Sequence, residues 1–419
     1  MDLQVHIRKV IVSCSIVICS TNAFAKSTST SQQLQQVVEV AQNRFDINAV
    51  SMAILTPSNP SPQSFVTGSI SMLNHTAIEQ DSMFKVGSIT KTFTAALIAK
   101  AIDERKLQLN DKLGQLLPQY SKWKDITVEQ LVNQTSGIID YDATPDWWKN
   151  LVVEKDKTWL SSELVQLSYN SKKAFSSGHG WQYSNTNYVL LGMILAKVYH
   201  QPAEQLITHL IEKTNLKQTY YSPTGYKQSI HNKMVHGYFR NQFDETNMNG
   251  SWLRTAGALL STPVDMVEWM HTRISSPNAK GFYGLNQFKF TDTENGRAYS
   301  SSSAAGYSFG VFKRDTPSGP LYFTPGLTSG YVSMLVYAPC YDTYFAYSSS
   351  KAPIYGFHDF MLSKTMEILA HDERLLNILN KMNLPSYCHP SASHPIQKNF
   401  LKPLIVGNHQ HKTQPKSKS

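Results

Sequence analysis

Hydrophobic positions recur along this chain with two different periods. Residues 31–45 place apolar side chains three to four positions apart, which predicts an amphipathic helix. Two β-rich runs separated by proline and serine follow at 48–56 and 64–72. Strand character returns near the other end, at 306–314, 321–323, 329–338 and 343–349, before a last helical pattern at roughly 356–381.

The middle of the chain, roughly 107–290, is mostly helical in pattern. Its clearest helical pieces are Val128–Gln134, Leu160–Ser168, Tyr188–Tyr199, Ala203–Lys213 and Pro263–Arg273. Because strands open and close the chain, we expect them to pair in one sheet with the helical block inserted between them. The pattern therefore predicts an α+β fold: an antiparallel sheet flanked by N- and C-terminal helices, with an inserted all-α lobe. A cleft between two such lobes is a usual place for a small-molecule site.

The charge of the chain is concentrated at its ends. The formal net charge of the 419 residues is +9, but residues 389–419 hold five lysines and no acid, and residues 1–25 add +1. The remaining +3 shows no basic stripe with interleaved aromatic residues, so we expect no nucleic-acid partner. With 41% hydrophobic and 16% charged residues, the chain can bury a sizeable core.

The two termini have patterns of their own. Residues 1–25 combine a basic start, an apolar stretch and the small-x-small end Ala23-Phe24-Ala25, which is typical of a secretory signal peptide. We therefore expect an exported protein, in the periplasm or outside the cell. Residues 26–388 would be the folded domain and 389–419 a basic disordered tail. His409 and His411 lack further ligand residues, so no metal is predicted.

Two further expectations concern the chain after residue 25. No apolar run after residue 25 approaches the ~18–20 residues of a membrane helix, so we expect no stable membrane insertion. Removal of the signal peptide would leave Cys340 and Cys388 as the remaining cysteines. In an oxidising compartment these two either pair or stay separate as buried thiols, and the sequence leaves both possibilities open.

Ser88-Ile89-Thr90-Lys91 is the first candidate for chemistry. Positions i and i+3 share a helix face, so the Ser88 hydroxyl and the Lys91 amine would lie side by side. A serine hydroxyl needs an adjacent base to become a nucleophile, and a buried lysine with a lowered pKa can be that base. A glycine and a strand-like run precede Ser88, and a buried helix follows, so the serine would lie at a helix N-terminus.

Two other segments carry suitable side chains. Tyr183 and Asn185 follow a glycine-rich turn and are predicted to project together from a loop, as a proton shuttle and an amide. The run 323–337 contains Gly326 and Gly330 on a predicted strand, where glycine indicates close approach of a backbone or a ligand.

In this order the motifs resemble the serine β-lactamase and penicillin-binding-protein superfamily, most nearly its class C β-lactamase, D-alanyl-D-alanine carboxypeptidase and carboxylesterase branch. The similarity covers roughly residues 31–350. Besides 323–337 it includes the segments Phe84–Ile98, Leu131–Ile138, Trp181–Gly192 and Thr255–Pro263.

The resemblance implies an acyl-enzyme mechanism without a cofactor, acting on a small-molecule or peptidoglycan-derived substrate. Ser88 would be the nucleophile, and Lys91 and Tyr183 would share the acid–base work. Asn185 would orient Lys91 and a substrate amide. The backbone N–H groups of Ser88 and Leu327 would form the oxyanion hole.

The chain departs from this family in the strand along the cleft. Where the family has a cation, then a hydroxyl residue, then glycine, this chain has Thr324-Pro325-Gly326. The missing cation would normally attract a substrate carboxylate and depress the pKa of a base. Its loss therefore favours neutral esters and amides over carboxylate-bearing peptides and β-lactams.

Two alternative readings stay open. Gly306-Tyr307-Ser308-Phe309-Gly310 fits the nucleophile elbow of α/β-hydrolases, although a strand-like run rather than a helix follows it. The altered strand at Thr324-Pro325-Gly326 also fits an exported protein that keeps the fold and binds peptidoglycan fragments or a partner without turnover.

Overall fold

The computed structural model describes residues 29–145, 147, 157–275, 289–297, 305–382, 384 and 388. The predicted signal peptide and the predicted C-terminal tail lie outside these residues. Every helix among these residues is too short or too polar to span a bilayer.

The strands are short outside one large sheet. Their bounds are β1 Ala49–Leu55, β2 Gln63–Gly68, β3 Phe84–Lys85, β4 Tyr220–Tyr221, β5 Tyr238–Phe239, β6 Phe243–Asp244, β7 Leu259–Ser261, β8 Thr291–Asp292, β9 Gly306–Ser308, β10 Val311–Thr316, β11 Gly319–Leu327, β12 Val332–Ala338, β13 Thr343–Ser349 and β14 Lys351–Ala352. The large sheet is antiparallel, in the order β2-β1-β13-β12-β11-β10-β9-β8. Strands from the two ends of the chain meet near one edge of this sheet, where β1, the second strand, pairs with β13, the third.

The helices occupy the ends and the middle of the chain. Their bounds are α1 Thr30–Phe45, α2 Thr90–Asp103, α3 Leu113–Leu116, α4 Val128–Val132, α5 Ser161–Tyr169, α6 Asn185–Tyr199, α7 Ala203–Lys213, α8 Gln228–His231, α9 Pro263–Ser275, α10 Phe357–Ala370 and α11 Glu373–Leu379. Helix α1 begins at a capping box, in which Ser29 and Gln32 satisfy each other's backbone N–H groups.

The two faces of the sheet are covered differently. Helices α1, α10 and α11 enclose one apolar core together with side chains of β1, β12 and β13. Helix α9 packs on the opposite face, and α2 leads from there into the helical lobe around α6 and α7. This arrangement confirms the predicted α+β class, with the sheet between the terminal helices and the inserted helical lobe.

Several boundaries differ from the sequence-based expectation. The pattern at 356–381 forms two helices, because Asp372 caps α11 by accepting from the Leu375 N–H at 2.9 Å. Asn185 is the first residue of α6 rather than part of a loop. The interval 107–290 contains the predicted helices and, in addition, the short strands β4 to β7, of which β7 pairs with β3 beside the helical lobe.

The two cysteines whose pairing the sequence left open are bonded to each other. Cys340, in the turn between β12 and β13, forms a disulfide with Cys388. The bond attaches the C-terminal segment to the end of the large sheet. Such a cross-link of distant residues chiefly restricts the unfolded chain.

Candidate active site

Ser88 lies on a tight turn between β3 and α2. A short 3₁₀ turn, Gly87–Ile89, runs directly into the helix at Thr90. Gly87 has a φ of +51°, and a Cβ built there would lie 2.6 Å from both N and O of Leu327. Glycine is therefore required twice, for its left-handed backbone and for the close approach of β11.

Lys91 lies one helical turn after Ser88, with its side chain buried. Its Nζ contacts Ser88 Oγ at 3.1 Å and donates to Asn185 Oδ1 and to the Ala256 carbonyl, both at 2.7 Å. Burial lowers the pKa of Lys91 from 10.5 to about 7, although Asp140 and Asp142 oppose this shift. Near neutral pH a large fraction of the side chain is thus a neutral amine, able to accept a proton.

Tyr183 completes a cluster around the same hydroxyl. Its phenol hydrogen-bonds to Ser88, and its ring centroid lies 4.8 Å from Lys91 Nζ. Removal from water raises the pKa of Tyr183 well above its ordinary value, so the phenol keeps its proton. The two neighbours of Ser88 therefore differ at neutral pH: Lys91 is suited to accept a proton and Tyr183 to donate one.

Asn185 links Lys91 to two acidic residues. Its Oδ1 accepts from Lys91, while its Nδ2 donates to Asp140 Oδ2 at 3.0 Å and to Asp142 Oδ2 at 3.3 Å. These contacts favour the first of the two roles expected for Asn185, the orientation of Lys91, because both amide hydrogens already have acceptors. The sequence analysis missed Asp140 and Asp142, although two acids alternating with a tyrosine directly after the 131–138 segment were a usable signal.

The 131–138 segment positions the loop that carries Tyr183. Gln134 accepts from the backbone N–H of Gln182 with its carbonyl and from that of Ser184 with its side chain, both at 3.1 Å. Ser136 donates to Asn187 Oδ1 at 2.7 Å. Tyr183 is therefore held from both sides by bonds to a segment about fifty residues earlier.

The edge of β11 passes beside the Ser88 turn. The Thr328 N–H donates to the Tyr331 carbonyl, so alternation along the strand turns the N–H groups of Thr324 and Gly326 towards β12. The backbone nitrogens of Pro325 and Leu327 face the opposite edge, beside the turn. Proline at 325 thus removes no hydrogen bond to β12, and the N–H of Leu327 remains directed to the site.

Thr324 occupies the position at which the family has a cation and this chain has none. Its side chain is 2% exposed, and its hydroxyl donates to the Gly310 carbonyl at 2.9 Å. Gly310 in turn packs on the backbone of Lys91, since a Cβ built on it would lie 3.0 Å from the Lys91 carbonyl. Thr324 therefore supports the wall of the site through a neutral hydrogen bond, and it brings no charge to the site.

A cavity of about 200 Å³ lies beside this cluster. Its lining includes residues 328–330, directly after the β11 edge, and residues 257–259, directly after the carbonyl that binds Lys91. It also includes Lys85, three positions before Ser88, whose Nζ donates to the carbonyls of Met248 at 2.9 Å and Glu245 at 3.4 Å. Burial lowers the pKa of Lys85 to about 8, so most of this side chain is cationic at pH 7.

The structure thus brings together the residues singled out from sequence on three separate segments. Ser88, Lys91 and Tyr183 share hydrogen bonds, Asn185 adjoins them, and the Leu327 end of β11 packs on the Ser88 turn. Gly326 also packs against this turn, because a Cβ there would lie 2.1 Å from the Val86 carbonyl.

Ser308 has surroundings different from those of Ser88. It ends β9 and is fully buried, contacting Asn133 at 3.3 Å, and β10 rather than a helix follows it. The strand-to-helix turn that a nucleophile elbow needs is absent at Ser308, so the α/β-hydrolase reading was wrong.

Comparison with known proteins identifies the family of the chain. The family model described as Beta-lactamase matches residues 65–363. The chain belongs to the Beta-lactamase family. Members of this family act as serine acyl-transferases or hydrolases.

Named relatives within the Beta-lactamase family are similar over part of their length. A beta-lactamase of Pseudomonas fluorescens is 28% identical over 208 residues, which are 49% of this chain and 54% of that protein. Penicillin-binding protein 4* of Bacillus subtilis is 30% identical over 132 residues, covering 31% of this chain and 28% of that protein. The chain therefore spans about half, or less, of these curated relatives.

Two solved structures share the fold over nearly their whole length. A D-stereospecific amidohydrolase from Streptomyces sp. has a TM-score of 0.68 at 22% identity, covering 80% of this chain and 97% of that one. A D-amino acid amidase from Ochrobactrum anthropi SV3 has a TM-score of 0.69 at 21% identity, covering 84% and 99%. At these identities the likeness establishes the shared β-lactamase fold.

Proposed function

We propose that this protein is an exported serine hydrolase that cleaves amide or ester bonds through an acyl-Ser88 intermediate. The observation that carries the proposal is the 3.1 Å contact between Lys91 Nζ and Ser88 Oγ inside a buried cluster, with Tyr183 bonded to the same oxygen. The distance between Lys91 Nζ and Ser88 Oγ lies within the hydrogen-bond reach that proton transfer from a nucleophile to its base requires.

The proton path follows from the two pKa directions. Neutral Lys91 accepts the Ser88 proton while Oγ forms a bond to the carbonyl carbon of the substrate. The N–H groups of Ser88 and Leu327 stabilise the resulting oxyanion. When the carbon–nitrogen or carbon–oxygen bond breaks, Tyr183 donates its proton to the leaving group and regains one from the Lys91 ammonium. Water then releases the acyl group from Ser88 by the reverse transfers.

Residues 324–327 of β11, which we call the strand wall of the site, support a neutral or D-amino acid substrate over a β-lactam. Thr324 supplies no cation beside Ser88, and the fold neighbours named above are a D-stereospecific amidohydrolase and a D-amino acid amidase. We therefore expect short esters and D-amino acid amides to acylate the enzyme faster than penicillins or D-alanyl-D-alanine peptides.

Intact-mass detection of covalent adducts across these four substrate classes tests the proposal. We expect an adduct on the peptide that contains Ser88, with multiple turnover for at least one ester or amide. Ser88→Ala should abolish both, while Ser308→Ala should keep both. Turnover that survives in Ser88→Ala would refute the assignment.

A non-catalytic binding protein is the second candidate, favoured by the loss of the strand cation at Thr324. It predicts binding of peptidoglycan fragments by wild-type protein without any acyl adduct or turnover across the panel. Adduct formation at Ser88 followed by release of product would exclude it.

Export is supported by the disulfide between Cys340 and Cys388, since such bonds persist in oxidising compartments. Cell fractionation with alkylation of free thiols tests this part of the proposal. We expect the protein outside the cytoplasm, starting near Lys26 and without alkylatable cysteine. Full-length protein retained in the cytoplasm with reduced cysteines would contradict it.

A further inference from the structure

Two carboxylates lie behind Asn185, connected to Lys91 through its amide. Asp140 Oδ2 accepts from the backbone N–H of Asn185 at 2.8 Å and from its Nδ2 at 3.0 Å. Asp142 Oδ2 accepts from the same Nδ2 at 3.3 Å. Since Asn185 Oδ1 accepts from Lys91 at 2.7 Å, the amide joins one amine on one side to two carboxyl groups on the other.

The loop that carries the two acids is firmly held. Tyr141, between them in sequence, donates its hydroxyl to the Trp252 carbonyl at 2.6 Å and its backbone N–H to Thr186 Oγ1 at 3.1 Å. The same Thr186 hydroxyl contacts the Ile139 carbonyl at 3.0 Å. Both carboxyl groups are therefore fixed relative to the first turn of α6, which begins at Asn185.

Burial limits how much charge this pair can carry. Asp140 is 6% exposed and Asp142 is half-buried. Burial and, next, the charge of Asp142 raise the pKa of Asp140 well above its ordinary value. When two carboxyl groups share a buried site with one amide group, the state with one proton and one negative charge is favoured over the state with two negative charges.

Lys91 supplies a counter-charge to Asp140. Lys91 on α2 is the cation that acts on Asp140, and it lies on the opposite side of the Asn185 amide. Among the described residues, the titratable groups that face the cluster include phenols kept neutral by burial, namely Tyr141, Tyr183, Tyr188 and Tyr307, and Arg273 acts on the Tyr188 phenol from α9.

We propose that Asp140 and Asp142 are a proton-sharing pair of positioning residues, which hold one negative charge behind Asn185, fix the direction of its amide and set the pH at which Lys91 becomes a base. This inference rests on the function proposed for Ser88 and Lys91. It assigns the two acids no contact with the substrate.

The charge is tested by the pH dependence of Ser88 acylation by a nitrophenyl ester in Asp140→Asn, Asp142→Asn and the double variant. Each single variant should keep the acidic limb of the rate profile near that of wild type, because the remaining acid ionises once its like-charged neighbour is gone. The double variant should move the limb to lower pH by about one unit, because the Lys91 ammonium loses its counter-charge. A double variant with an unmoved limb, or a single variant that moves it as far as the double, would overturn the shared charge.

The positioning role is tested by Asp140→Ala against Asp140→Asn. Alanine removes the oxygen that accepts from the Asn185 backbone N–H and from its Nδ2. We therefore expect kcat to fall about tenfold or more with little change in KM. Asparagine keeps an acceptor oxygen and should restore most of kcat. Equal loss in both variants, at matched melting temperature, would refute positioning, and this comparison stands even if the double variant does not fold. Wild-type protein that forms no acyl adduct would instead refute the proposed function itself.

Discussion

The helical wall of the candidate site and its strand wall present their polar groups in different ways. On the helical wall, Lys91 and Asn185 are buried side chains whose bonds continue inward to Asp140. On the strand wall, the side chain at 324 is neutral and turned to a backbone carbonyl, and the backbone of Leu327 packs on Gly87 in the turn that carries Ser88.

This difference separates the chemistry from the choice of substrate. A base with a shifted pKa needs burial and fixed partners, and the helical wall supplies both. Stabilisation of an oxyanion needs backbone N–H groups, so the strand wall can change its side chains and keep that contribution. We therefore expect changes on the helical wall to reduce turnover of all substrates, and changes of strand-wall side chains to alter preference among them.

Replacement of the base should have the largest effect. Lys91→Met keeps much of the apolar volume and removes the amine, so kcat/KM for a neutral ester should fall about a thousandfold. Steady-state kinetics measures this loss. Lys100→Met, on an outward-facing part of the same helix, is the matched control and should stay near wild type. Comparable activity of the two variants would show that Lys91 is not the base.

Removal of one backbone donor from the strand wall should rank second. Leu327→Pro deletes the N–H that faces Ser88, and loss of one oxyanion donor typically costs about a hundredfold to a thousandfold in kcat. Leu327→Ala keeps the N–H and should lose little. Because Pro325 already occupies the same edge of β11, a second proline leaves the pairing with β12 intact. Similar kcat values for the proline and alanine variants would remove this N–H from the mechanism.

The pH dependence of wild-type protein sharpens the assignment of the helical wall. Burial lowers the pKa of Lys91 to about 7, and the base must be neutral to act. The value of kcat/KM should therefore fall as the pH drops below about 7, approaching tenfold per pH unit. A profile flat between pH 5 and 8 would contradict Lys91 as the base.

The smallest expected effect concerns the cavity beside the strand wall. Lys85 is a cation three residues before Ser88, in the lining next to residues 328–330. We expect Lys85→Met to lower kcat/KM about tenfold for an ester with a distal carboxylate, by loss of one ionic contact. For its uncharged analogue the value should hardly change. An equal loss of kcat/KM for both esters would instead indicate that Lys85 only supports the loop that carries Glu245 and Met248.

Local geometry made much of the fold and part of the site predictable from sequence. The three-residue spacing of Ser88 and Lys91 predicts neighbouring side chains on any helix, and periodicity located α1, α7 and, approximately, β1, β2, β12 and β13. It missed β8 and most of β11, and it gave β9 and β10 as one run at 306–314. The motif around Tyr183 was recognisable by resemblance. The residue at which the following helix begins was not predictable, because that boundary depends on the hydrogen-bond partners of Asn185.

The sequence by itself determined the order of the longer helices and strands, the paired serine and lysine, and the absence of a cation at 324, since these depend on residue identity and short-range backbone geometry. Only the tertiary structure decided that Asn185 joins Lys91 to Asp140, that Cys340 pairs with Cys388, and that Lys91 loses its water and much of its basicity. These features arise from contacts between residues far apart in the chain and from burial, which packing of the whole domain creates.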